Sequence, residues 1–196
     1  MARPRTISDE ALLEVARAIF VRDGAAGTTT EIAARAGVSE ATLFKRFSTK
    51  TALFIAAMAP PRVDAASIIM EAQAVADPKE AVLTLGEAVL AYFRTALPVA
   101  MPLIGNPLIG VDGLRRHFGR SGAEVLVEAI TAYLLDQSKN GRVTAPDPQA
   151  AALALVTSLH SIAQFEVMGT HTVPSESVRA MLQTIWSGLR PASRAD

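Results

Sequence analysis

The chain has no cysteine among its 196 residues. It can form no disulfide framework and no thiolate metal site, and a reducing compartment suits it. It has no net charge either, since 19 Lys/Arg balance 19 Asp/Glu, so the molecule as a whole exerts no pull on a polyanion. Its N-terminus carries no apolar stretch of signal-peptide type, and the uncharged run Thr95 to Val111 is broken by Pro98, Pro102 and Pro107, too short and too interrupted for a membrane span. No run alternates with period two, so no strand is expected. There is no internal repeat and no low-complexity tract. His117, His160 and His171 lie far apart in sequence. With no Cys beside them they offer no nucleophile–base pair, carboxylate cluster or metal set, so neither catalysis nor a cofactor is expected. These absences point to a soluble cytoplasmic protein that is neither an enzyme nor bound to a membrane.

What is present is helix. Half the residues are apolar, enough for a sizeable core, and they recur at steps of three and four. Ser8 to Arg22 carries the stripe Leu12, Val15, Ala16, Ile19 and Phe20, with Ser8 as cap and Asp9 and Glu10 near the positive end of the helix dipole. A short helix, Thr29 to Ala36, follows Gly24 and Gly27, and Thr28 with Glu31 has capping-box spacing. Gly37 ends it. Ser39 caps a third helix reaching Phe47, and Ser48 is expected to cap a fourth. Pro60-Pro61 marks the domain boundary, giving residues 1–58 and 59–196. Met1 to Met58 holds eight Lys/Arg against six Asp/Glu, a mildly basic bias for the first domain. In the second, helices are expected over Arg62–Ala76, from Asp77-Pro78 to Leu97, over Ser121–Lys139, from Asp147-Pro148 to Met168, and over Ser175–Leu189, with "PVAMPLIGNPLIGVDG" irregular or in short helical turns and "RPASRAD" frayed.

The stretch "TTTEIAARAGVSEATLFKRFSTKTAL" carries the chemistry. Two short helices joined by "AGVS" make a helix-turn-helix. Gly37 supplies the positive φ, Ala33 allows close approach, and Val38 plugs the corner. Ile32, Ala36, Leu43 and Phe47 can bury against the first helix, which leaves Glu40, Ala41, Thr42, Lys45 and Arg46 outside. A helix N-terminus rich in small and hydroxyl residues can enter a major groove. Thr28, Thr29, Ser39 and Lys50 stand at helix starts, where N–H groups, hydroxyls and an ammonium can hold phosphate. Spacing alone leaves a plain packed hairpin equally open.

The same residues resemble the DNA-binding signature of the TetR family of bacterial transcriptional regulators. The matching elements are Thr28, Ile32-Ala33, Ala36-Gly37-Val38-Ser39, Thr42-Leu43-Phe44, Phe47, Lys50 and Leu53, with Phe20 and Gly24 ahead of them; the signature covers about residues 7 to 58. The resemblance implies an all-α fold, with a three-helix helix-turn-helix domain joined to a helical ligand-binding and dimerisation domain. It implies that Thr28 and Lys50 bind phosphates while Ser39, Thr42 and Lys45 lie along the groove. Three positions depart from the family pattern. Ala41 stands where glycine is usual, Phe44 replaces a tyrosine whose hydroxyl often reaches phosphate, and Arg46 replaces a histidine or aromatic. Arg3 and Arg5 could form a basic arm in the minor groove, or be a plain tail.

Half-sites one helical turn apart demand a two-fold partner, so a homodimer on a palindromic double-stranded operator is expected. The resemblance places its interface on the last two helices, with Leu155, Leu159, Ile162, Met181 and Trp186 as candidates; plain intramolecular core is the competing reading for each. A pocket between helices is expected to draw on Met70, Tyr92, Phe93, Met101, Phe118, Tyr133, His160, Gln164 and Phe165, and to take a small, largely apolar effector. His160 and Gln164 share a face and can orient that ligand or satisfy core hydrogen bonds. The expected function is a repressor released by effector through a population shift, with the helix after Pro61 as lever. Control by a protein partner, or by nothing, is the alternative.

Overall fold

The computed structural model describes residues 7–107 and 109–191; Arg3, Arg5 and the tail from Ala192 lie outside the described residues. Among the described residues there are ten α-helices, one 3-10 turn and no strand. The chain divides into two compact units. One holds the chain up to Pro60 together with Pro98–Gly119, and the other holds Pro61–Leu97 and the chain from Arg120 onward. The simple division at residue 58 is thus corrected, because Pro98–Gly119 belongs with the N-terminal unit.

The first unit is built from α1 (Asp9–Asp23), α2 (Thr29–Ala36), α3 (Glu40–Arg46) and α4 (Lys50–Ala57), with the 3-10 turn Gly24–Ala26 between the first two. Ser8 caps α1 by accepting from the Ala11 N–H. Leu12, Ala16, Ile19 and Phe20 are fully buried, and Ile32, Leu43, Leu53, Phe54, Ala57 and Met58 close the same core. Phe20 meets Phe54 edge-on at 4.9 Å between ring centroids. Each large apolar side chain so buried contributes about 1.5–3 kcal/mol, so helices of seven or eight residues, too short to persist alone, are held by this core. Arg17 adds a 2.7 Å hydrogen bond from its Nε to the Ala57 carbonyl.

Two expectations about helix extent fail. The helix from Pro78 does not stop at Leu97. It continues as α6 to Ile104, with Pro98 and Pro102 inside it. Each proline removes one backbone donor, but Val99 and Leu103 are buried in the first unit's core beside Ile109, and that burial offsets part of the loss. Beyond it the stretch expected to be irregular with short helical turns runs at Gly110 into α7 (Gly110–Phe118), whose Leu114 and Phe118 lie against that core.

The second unit contains α5 (Ala65–Gln73), α6 as far as Leu97, α8 (Gly122–Lys139), α9 (Pro148–Val167) and α10 (Ser175–Leu189). The cap residues are legible in the chemistry. Asp64 accepts from Ser67, Ser121 and Glu124 complete a capping box, and Asp147 accepts from Ala150 ahead of Pro148. The pair α8 and α9 forms the main helix contact. Gly86 lets α6 approach Leu182 of α10. Arg142 donates to the carbonyls of Val75 and Ala76, and ion pairs join Arg94 to Glu166 and Arg179 to Glu80 and Glu87. By length and composition α6 and α9 would suit a membrane span; in the second unit α9 is instead a packed helix, buried on α8.

Candidate nucleic-acid interface

The turn between α2 and α3 is fixed by three local devices. Thr28 Oγ1 accepts from the Glu31 N–H at 3.2 Å. Gly37 adopts the left-handed conformation (φ 68°), and the Val38 N–H donates to the Ala33 carbonyl at 3.0 Å, closing the helix end. Ser39 Oγ then accepts from the Thr42 N–H at 3.1 Å. Ala33 is buried, so a larger side chain would hold the two helices apart. The expected capping box at Thr28 is only half made. The Glu31 carboxylate is drawn to Arg22 at 3.0 Å and Arg35 at 3.3 Å instead of the Thr28 N–H. The cap of α4 is Thr49, which accepts from Ala52, and not Ser48, which sits in the turn at φ 22°. Two adjacent hydroxyls give no sequence signal to separate them, so the cap role of Thr49 is not legible in the sequence.

The ten expected DNA residues fall into three groups. Thr28, Ser39, Ala41, Phe44 and Lys45 are exposed. Thr42 is half-buried, its hydroxyl 2.9 Å from that of Ser39. The others are engaged within the unit. Thr29 Oγ1 donates to Glu40 Oε1 at 2.6 Å and so ties α2 to α3. Lys50 Nζ donates to the Ala25 carbonyl at 2.8 Å, which spends one of its three donors and steadies the ammonium at the start of α4. Arg46 is the clearest correction. It does not project from the outer face; Nη1 donates to the Ile7 carbonyl at 2.8 Å and to Asp9 at 3.0 Å, and only 19% of its side chain is exposed. Among the described residues Lys45 has no such partner. Near α2, Arg22 hydrogen-bonds Asp23 and Glu31; this raises the guanidinium above its ordinary value and lowers the Asp23 carboxyl, so these acids are paired and oppose a polyanion less.

A short helix held by its neighbours, with small, hydroxyl and cationic groups on its free face and capped helix starts on either side, is the geometry of a groove reader. Residues 12–57 match the bacterial regulatory proteins of the tetR family. They form a TetR-family DNA-binding domain. The fold of the whole chain agrees. It is similar to the TetR-family transcriptional regulator PfmR of Thermus thermophilus (22% identity, 90% of this chain and 97% of that one, TM-score 0.62). It is also similar to a TetR-like transcriptional regulator of a Rhodococcus species (19%, 95% and 97%, 0.60) and to NalD, the secondary repressor of the MexAB-OprM multidrug efflux pump in Pseudomonas aeruginosa (15%, 93% and 95%, 0.63). No curated protein matches the sequence. The chain thus carries a TetR-family DNA-binding domain, and its fold is that of TetR-type transcriptional regulators.

Outside the TetR-family domain the expected effector residues scatter. Tyr92 and Phe93 adjoin at 5.3 Å, and Phe93 meets the His160 ring edge-on at 5.1 Å. Burial lowers His160 below its ordinary 6.5 and raises the Tyr92 and Tyr133 hydroxyls. Gln164 lies one turn beyond His160. Met70 and Phe165 are exposed, and Met101 and Phe118 belong to the first unit. A cleft of about 170 Å3 in the second unit is lined by Glu87, Leu90, Arg94, Ser175, Val178 and Arg179, none of them expected. The dimer candidates also need correction. Leu155, Leu159 and Ile162 are buried within the single chain, on the stripe of α9 that faces inward. Met181 and Trp186 are half-buried. The outward stripe of α9 is carried by Leu153, Phe165 and Met168, all about half-exposed, and sequence could not separate two apolar stripes on one helix.

Proposed function

We propose that the protein is a repressor that binds a palindromic operator as a homodimer and leaves it when a small, largely apolar effector occupies the second unit. The observation that supports DNA reading is the free face of α3: Ala41, Phe44 and Lys45 stand outside while Leu43 is buried and Arg46 is tethered. Lys50 and the capped starts of α2 and α4 provide phosphate contacts on either side. Two recognition helices must engage half-sites about 34–36 Å apart, which calls for a second copy. The outward stripe Leu153, Phe165 and Met168 of α9 supplies an apolar face for it. The effector site is centred on Tyr92, Phe93 and His160, where an apolar wall adjoins a half-buried imidazole that has only a ring contact among the described residues. By reciprocity, effector and DNA each lower the affinity for the other.

The test combines Thr42→Ala, Lys45→Ala and Lys50→Ala. Duplexes bound by the wild-type protein are selected from a random pool, and binding of the variant is measured by mobility shift. Affinity should fall by well over tenfold with the thermal transition kept. Undiminished affinity in a folded variant would remove α3 as the reading element.

A further inference from the structure

The polar groups of α3 are largely spent on holding the helix in place. Glu40 accepts from Thr29, the Thr42 hydroxyl is bonded with that of Ser39, and Arg46 is held by Ile7 and Asp9. What remains on the outer face is the methyl of Ala41, the aromatic ring of Phe44 and the ammonium of Lys45. Positions 41, 44 and 45 are three and four apart and so share one side of the helix. Phe44 is 39% exposed, although the core of the same unit lies directly behind α3 through Leu43, which is fully buried. An aromatic ring left in water beside a free cation, continuous with the groove-reading face, calls for an apolar group on the nucleic acid. The major groove offers one such group: the C5-methyl of thymine.

We infer that this face reads thymine methyls, with Ala41 and Phe44 making the apolar contacts and Lys45 supplying the cation beside them. The inference rests on the DNA-binding reading above and deepens it by naming the base feature that is recognised. Each half-site should hold at least one thymine whose methyl is closed off from water by Phe44 or Ala41.

The experiment uses the full chain and the selected operator, with each thymine replaced in turn by deoxyuridine, which lacks only the methyl. Withdrawing one methyl-sized apolar contact should weaken binding about fourfold at one or more thymines of each half-site. At one of those thymines the difference should vanish in Phe44→Ala, whose fold is checked by thermal melting. The inference is overturned by equal binding to every uracil-substituted operator, which needs no variant. It is overturned too by a selected half-site without A·T pairs, or by a thymine preference that persists unchanged at every position in folded Phe44→Ala. If the folded protein selects no sequence at all, the DNA-binding reading itself fails and this one with it, an outcome distinct from sequence-selective binding that ignores the methyl.

Discussion

Arg46 separates a groove contact from a scaffold contact. Its position on a basic recognition helix suggests DNA, while its hydrogen bonds assign it to folding. Replacing it with alanine removes a charge-assisted hydrogen bond to the Ile7 carbonyl at 2.8 Å and an ion pair to Asp9 at 3.0 Å. A hydrogen bond from a charged donor is worth about 1.5–3 kcal/mol, and the low end applies because water can reach the freed carbonyl near the chain start. Asp9 is 63% exposed, so the ion pair adds under about 1 kcal/mol. The sum is about 2 kcal/mol. For a chain of this size each kcal/mol moves the midpoint by about 2–4 °C, so Arg46→Ala should lower it by roughly 4–8 °C. DNA affinity tells the other half. Each phosphate neutralised contributes about 0.9 to the slope of log K against log salt. Lys45→Ala should therefore flatten the slope by up to about 2 for a dimer, if Lys45 meets phosphate, and Arg46→Ala should leave it unchanged. Melting by circular dichroism and titrations at four or five salt concentrations measure both. An Arg46→Ala protein that melts like wild type but loses about 2 in slope would refute the assignment.

Two further outcomes test the second unit. At Gly86 an added Cβ would lie 2.8 Å from Leu182 Cδ1 and closer still to Cδ2, and Leu182 is fully buried. Overpacking of about 1–3 kcal/mol should exceed the helix-propensity gain of about 1 kcal/mol, so Gly86→Ala lowers stability in denaturant melts. Combined with Leu182→Ala, it should cost less than the two changes summed. Burial holds His160 below 6.5 when folded, so the unfolded chain takes up the proton first. Stability should decline as pH falls through 6.5 towards the folded value, and His160→Gln should flatten the profile between pH 7.5 and 5.5. The same profile in both proteins would place the titration elsewhere. The Glu166 carboxyl, held below 4.5 by Arg94, loses its contribution only at lower pH, outside that window.

Sequence carried the parts of this fold that local chemistry decides. Ser8, Thr28, Ser39 and Asp147 each cap the helix they were expected to cap, because a short side chain beside its own helix has few alternatives. It failed where a local rule met distant burial. Pro98 and Pro102 should end a helix, yet α6 passes through both because Val99 and Leu103 have a core to enter. It failed also where one helix has two apolar stripes. Nothing in "AALALVTSLHSIAQF" says that Leu155 and Leu159 are buried while Leu153 and Phe165 are not; only the third dimension chooses.

The recognition helix shows the same limit at the level of single side chains, and there it bears on function. A seven-residue helix cannot hold itself, so α3 is fixed by Leu43 beneath it and by Glu40 and Arg46 near its two ends. Both stand among the residues that helical spacing alone leaves on the outer face. Their partners lie 11 residues away at Thr29 and 39 and 37 away at Ile7 and Asp9, beyond the range of any helical pattern. Fixing the helix thus removes hydrogen-bonding groups from the surface it presents. What α3 leaves exposed after folding is chiefly Ala41, Phe44 and Lys45. Under the thymine-methyl inference, those groups would let a helix so short and so weakly charged discriminate bases by methyl contact, and Phe44, which lacks a phosphate-seeking hydroxyl, would suit its place.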